Sequence, residues 1–334
     1  MNTLTSPAPG GAALAAVPAA PPARAWWLPL VLLLVLAALP TLAQAAGLEF
    51  YIGLVRRILL FALAAASLNF LIGDGGMIAL GHAGFIGTGA YTVVALTDFG
   101  VQSAWPIWAA AMAVSALAAV AIGAISLRTR GVYFIMITLA FAQMLYYVCM
   151  TQRQWGGEDG YTLPMRPQLG FGLDAQNEAV MYQVVLALVA VAWGLLDRLR
   201  GSRFGVAVMG IRDNDVRMQA LGYPVYRLRL VAFAIAGALA GLSGALLATC
   251  NSFVSPSMMH WTESAMLIVM VILGGLGQRW GGPVGALVWL GLAETLRQFT
   301  EHWQMPLGVL LVAVALYAPA GLATFRLPRR GGAA

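Results

Sequence analysis

Three histidines, His82, His260 and His302, and two cysteines, Cys149 and Cys250, are the side chains here best suited to ligate metals or act as nucleophiles. They are scattered. No His-Glu-x-x-His pair or Cys/His cluster is present, so a metalloenzyme is disfavoured, and the cysteines read as packing residues. Among the acids, Asp74, Glu263 and Glu294 fall in or beside apolar stretches, where a carboxylate could carry ion coupling. Glu294 and Arg297, at i and i+3, pair most simply with each other. All nineteen basic residues are arginine. Without lysine the chain has no Walker-type phosphate lysine and no Schiff base for retinal or pyridoxal chemistry. It is expected to bind no cofactor and to be no enzyme, so any ATP and magnesium would be used by partner subunits. No nucleic-acid partner is expected.

The elements around these residues are those of a membrane protein. Of 334 residues, 60% are hydrophobic and 10% charged, too much apolar surface for a soluble domain. Apolar runs of about 17 to 25 residues recur, each long enough to cross about 30 Å of hydrocarbon. Spans are expected near 28–46, 54–72, 77–97, 105–126, 132–150, 179–196, 230–250, 264–277, 283–298 and 305–325, with the eighth and ninth short and glycine-rich. The fold class is therefore all-α, a polytopic transmembrane helix bundle of about 8–10 spans, some broken at glycine-rich turns. Residues 1–25 read as a disordered cytoplasmic tail, 26–327 as the transmembrane domain and 328–334 as a C-terminal tail.

Seven arginines between Asp197 and Arg229, with Arg128 and Arg130, place those loops on the cytoplasmic side by the positive-inside rule. Ten spans then leave both termini cytoplasmic, and the loop from Thr151 to Glu178 outside. Arg56 and Arg57 break the pattern: either they snorkel to headgroups or the first span is misassigned. One echo recurs: Gly76, Gly81 and Gly84 share the spacing G-x4-G-x2-G with Gly277, Gly282 and Gly285. With 38 glycines, coincidence is the simpler explanation.

The stretch "GDGGMIALGHAGFIGTGAY" (73–91) concentrates glycines beside an aspartate and a histidine. Small residues let helix backbones approach, which explains Gly81, Gly84, Gly87 and Gly89. A charge in hydrocarbon costs about 2.5–3.5 kcal/mol on insertion scales, so Asp74 and His82 must face protein or water. His82 is expected to hydrogen-bond a backbone carbonyl between helices, and Asp74 to be solvated or to cap a helix.

These residues carry a resemblance. "SLNFLIGDGGMIALGHAGFIGTGAYT" (67–92) resembles the glycine-rich signature of branched-chain amino acid ABC transporter permeases, the LivM-type branch of the LivH/LivM family. Asn69, Gly73, Gly76, Gly81, His82, Ala83, Phe85, Gly87, Gly89, Ala90 and Tyr91 match its pattern, with Ala79 where serine is frequent. "LRTRGVYFIMITLAF" (127–141), the segment 202–248, "FVSP" (253–256) and "VILGGLGQRWGGPVGA" (271–286) follow in the family's order. The resemblance implies a bacterial inner-membrane permease subunit of an ATP-driven importer, working by alternating access. Its implied partners are ABC ATPase subunits, a second, LivH-like permease, a periplasmic or extracellular substrate-binding protein and an amino acid substrate.

A cytoplasmic segment at about 197–229 independently suggests a partner. In "MGIRDNDVRMQALGY" (209–223), Ile211, Val216, Met218 and Leu221 alternate with charges, and Gly222 would end a short helix. Its two aspartates would be repelled by anionic lipid, which favours a protein partner over a membrane surface. In the resembled family this is the element that couples to the ATPase, which points to Arg212, Asp213, Ala220 and Gly222 as its core. Thr138, Gln143, Asn251 and Ser255 are candidate path residues, each with an ordinary structural role as the alternative. The competing function is a self-sufficient secondary transporter or channel; within the ABC class, urea or another small amide or acid competes as substrate.

Overall fold

The computed structural model describes residues 27–318, except 46, 48, 171 and 173, together with 321–324. The tail at 1–25, the C-terminal arginines and residues 328–334 lie outside the described residues. Ten longer helices fall on the ten expected segments: α1 (Trp27–Ala45), α2 (Glu49–Asn69), α3 (His82–Asp98), α4 (Ala104–Ser126), α5 (Val132–Thr151), α6 (Glu178–Arg200), α9 (Val225–Asn251), α10 (Trp261–Gly274), α11 (Gly281–Phe299) and α12 (Gln304–Tyr317). Two short helices, α7 (Arg203–Asp213) and α8 (Asp215–Ala220), stand between α6 and α9. Among the described residues, five segments are long and apolar enough to cross a membrane: Phe50–Asp74, α4, α5, α6 and α9.

Several boundaries move: α2 and α9 begin at Glu49 and Val225 rather than 54 and 230. The third helix starts at His82 rather than 77, because residues 75–81 form an irregular glycine turn, and the last ends at Tyr317 rather than 325. The segment at 209–223 forms parts of two helices, since Asn214 caps α8 by accepting the Arg217 N–H at 2.9 Å and is extended at φ −158°. Gly222, at φ +84°, reverses the chain after α8.

The long helix α9 runs through the centre, where Phe233, Ala236, Ala240 and Leu246 are fully buried. It packs most extensively on α3 and α4. The approach is close because the Gly89 and Gly241 backbones touch, leaving no room for a methyl group at Gly89. At the end opposite α7 and α8, β1 (Tyr161–Thr162) pairs antiparallel with β2 (Phe253–Val254), tying the α5–α6 loop to the α9–α10 loop.

Arg56 does not snorkel. It is 8% exposed and ion-paired with Glu178, which also pairs with Arg166 at 2.7 Å, because the start of α6 lies beside α2. Arg57, next to it, is exposed, as snorkelling requires. Glu294 and Arg297 do approach one another, at 3.8 Å.

Candidate functional site

Two breaks in the helical frame meet at the end of the bundle that carries α7 and α8. In the first, α2 loosens into a π-helical turn, Phe70–Asp74, and the chain turns through Gly76 at φ +66° before α3 begins. In the second, α10 ends at Gly274 and the chain turns through Gly277 at φ +71° into α11. The repeated spacing is therefore more than coincidence in shape: its first glycine takes the left-handed conformation in both turns, and its second lies at the start of the following helix.

Asn69 locks the turns together. Fully buried, it accepts the Gly277 N–H at 2.9 Å and donates its amide to the Gln278 carbonyl at 2.8 Å. The Gly73 backbone rests directly on Gly277, so a side chain at Gly73 would collide with it. Backbone groups freed by a broken helix need partners when water is excluded, and a buried amide supplies a donor and an acceptor at once.

Three ion pairs surround this junction. Asp74 pairs with Arg200, the last residue of α6, at 2.7 Å, both side chains being 7% exposed. Asp74 is thus neither solvated nor a cap. The α6 terminus brings a guanidinium onto it, which offsets part of the cost of burying a carboxylate. Asp197 pairs with Arg279 of the second turn at 3.4 Å. Arg212, from α7, donates to the Gly73 carbonyl, lays its stem over Gly76, and also pairs with Asp213 at 3.0 Å. One arm of its guanidinium thus reaches the glycine turn while the other holds Asp213, and the side chain stays 40% exposed at the surface.

The start of α3 is built from distant side chains. His82, fully buried, lies 2.8 Å from Ser67 Oγ through Nε2. Ser67 gives its proton to the Ala64 carbonyl, so it accepts from His82, which fixes the Nε2–H tautomer. The expected interhelical bond exists, with a hydroxyl in place of a carbonyl. Ser264 of α10 accepts the Ala83 N–H at 3.0 Å, and Thr138 of α5 accepts the Leu80 N–H at 3.3 Å while donating to the Ile135 carbonyl. Thr138 is 1% exposed and supports the turn.

The remaining glycines face neighbours: Gly81 abuts the Thr138 backbone, Gly84 the Ala142 Cα, and Gly87 the Met259 side chain. Further along α3, Tyr91 is buried and its hydroxyl has no hydrogen-bond partner among the described residues, as is true of the Gln143 amide nitrogen on α5. Asn251 is exposed at the end of α9, and Ser255 accepts the Ser257 N–H at 3.4 Å in the following turn. Of the four path candidates, Thr138 and Gln143 thus stand on α5, Asn251 ends α9 and Ser255 lies in the turn after it.

On the outer side of α7 and α8 lies an exposed surface. Val206, Val216 and Leu221 are 60–66% exposed, beside Asp213, Arg217, Ala220 and Gly222, all exposed. Sequence reasoning missed Arg200, Arg279 and Ser264, which carry no local motif. The repeated glycine spacing was the one signal that the two turns correspond.

Apolar spans interrupted by two interlocked glycine turns, with an amphipathic element attached to one of them, define a polytopic helical permease. The family described as branched-chain amino acid transport system / permease component matches residues 50–315, and the chain belongs to it. The high-affinity branched-chain amino acid transport system permease protein LivM of Escherichia coli (strain K12) is 28% identical over 295 residues, covering 81% of this chain and 69% of that protein. LivM of Salmonella typhimurium gives the same identity and coverage. A probable LivM of Methanocaldococcus jannaschii is 26% identical over 202 residues, 55% of this chain and 57% of that one. No solved structure matches the chain.

Proposed function

We propose that this chain is one of the permease subunits of an ATP-driven importer that carries branched-chain amino acids across the bacterial inner membrane. Arginine placement supports an orientation with α7 and α8 in the cytoplasm and the β1–β2 end outside, and ten spans would then leave both termini inside. ATPase subunits dock on the exposed surface of α7 and α8, a second permease chain completes the pathway, and a solute-binding protein delivers the amino acid from outside. ATP and magnesium act in the ATPase subunits.

The observation that carries this proposal is the bond from Arg212 to the Gly73 carbonyl. A movement imposed on α7 by a docked protein is passed to the first turn, and through Asn69 and Gly277 to the second. Both turns lead into helices, α3 and α11, so one displacement at the surface re-aims two elements. This is what alternating access requires of a coupling device. A channel or a self-coupled transporter would have no use for a surface-to-turn connection of this kind.

The test is uptake of leucine, isoleucine and valine into proteoliposomes containing this chain with its permease partner, ATPases and binding protein. Uptake should require ATP and should vanish when Val216→Asp and Leu221→Asp spoil the docking surface. Uptake unaffected by removing ATP refutes the proposal.

A further inference from the structure

At the end of the bundle opposite α7 and α8, helices α1, α2, α6 and α11 border a cavity of about 730 Å³. Its polar wall comprises Arg57 of α2, Glu294 and Arg297 of α11, and Glu178 with Asn177 at the start of α6. The apolar wall is formed by Phe50, Ile52 and Leu54. A cavity with charges of both signs is unusual beside apolar helices, because each charge must be offset by a partner or by water.

The charges are unequally satisfied. Glu178 holds two guanidinium groups, those of Arg56 and Arg166. Arg297 stacks over the Trp303 ring at 4.3 Å, and its approach to Glu294, at 3.8 Å, is too long for a hydrogen bond. Arg57 forms no ion pair among the described residues. Its guanidinium lies 5.8 Å from the Phe61 ring. Arg57 follows the start of α2 by about 12 Å of helix rise. The cavity thus offers two guanidiniums, Arg57 and Arg297, and one carboxylate, Glu294, with hydrogen-bonding capacity to spare, beside an apolar wall; of these, Arg297 is held against Trp303 and near Glu294, whereas Arg57 has no counter-ion among the described residues.

We propose that this cavity binds a small zwitterion, with its anionic oxygens on Arg57 and its ammonium on Glu294. Two sources share that chemistry: a free amino acid, whose side chain would lie on Phe50 and Leu54, and the headgroup of an aminophospholipid, whose acyl chains would. The amino acid source rests on the function proposed above; the lipid source does not. The volume admits either.

The experiment uses the full chain purified in detergent, with Arg57→Lys and Glu294→Gln as conservative variants and Arg57→Ala as the complete removal. Radiolabelled leucine binding is measured, and retention of phosphatidylethanolamine against phosphatidylglycerol is read by native mass spectrometry. Variants are compared only where they elute and melt as the wild type does. The expected result is a loss of about tenfold or more in Arg57→Ala and Glu294→Gln for one of the two zwitterions, and that zwitterion identifies the source. Leucine and phosphatidylethanolamine binding both unchanged in these variants overturns the proposal. So does equal retention of phosphatidylglycerol together with leucine binding unchanged in these variants, since no ammonium would then be recognised from either source. A failed leucine uptake assay with phosphatidylethanolamine retention that depends on Arg57 and Glu294 refutes the transport proposal and leaves this one standing.

Discussion

Replacing Asn69 by alanine tests the junction between the glycine turns most directly. The substitution removes two hydrogen bonds and leaves the Gly277 N–H and the Gln278 carbonyl without their partner. A buried polar group left unsatisfied costs about 1–3 kcal/mol, and two would cost about 2–6 kcal/mol. The second turn is partly open, with Leu276 50% exposed, so water can recover part of this, and about 2–4 kcal/mol remains. Local opening at Gly277 should then become at least about 30-fold more frequent. Hydrogen–deuterium exchange of a peptide covering 275–281 would read this, with the melting temperature measured in parallel. Asn69→Asp separates the two bonds, since it keeps the acceptor for Gly277 and loses the donor to Gln278. Its Gly277 amide should stay protected while the protein melts lower. Unchanged exchange at 275–281 in Asn69→Ala would refute the view that this side chain holds the turns together.

Arg212→Ala should leave the exposed docking surface intact and break its link to Gly73, so ATP hydrolysis by the assembled transporter should continue while uptake per ATP falls about tenfold; equal loss of both activities would argue for a docking role instead. Arg200→Ala strands a buried carboxylate and should destabilise the protein by about 3–5 kcal/mol, whereas the double change with Asp74→Ala should recover much of that in thermal melts. A double variant as unstable as the sum of the singles would show that the pair is not coupled. Gly89→Ala forces a methyl into the Gly241 backbone and should cost about 1–3 kcal/mol, while Gly194→Ala, facing open space, should be neutral or stabilising in the same assay.

The sequence by itself determined the membrane setting, the positions of ten helices and the clustering of arginine around α7 and α8. These follow from composition and from apolar run length, which are local properties. The glycine stretch was legible as a helix break and a packing surface for the same reason, since glycine's freedom and small size act where it stands. Only the tertiary structure decided how buried polar groups are satisfied. Asn69 finds its partners 208 and 209 residues away, Arg56 finds Glu178 122 residues away, and Asp74 finds Arg200 at the far end of α6. Nothing in the spacing of a single residue names such a partner. A buried charge or amide requires satisfaction, and which group supplies it depends on which helices pack together. Arg212 shows the difference most plainly: its place in an amphipathic surface segment suggested an outward contact, and the approach of α7 to the first glycine turn gives one of its nitrogens a second partner, the Gly73 carbonyl, that the sequence did not name.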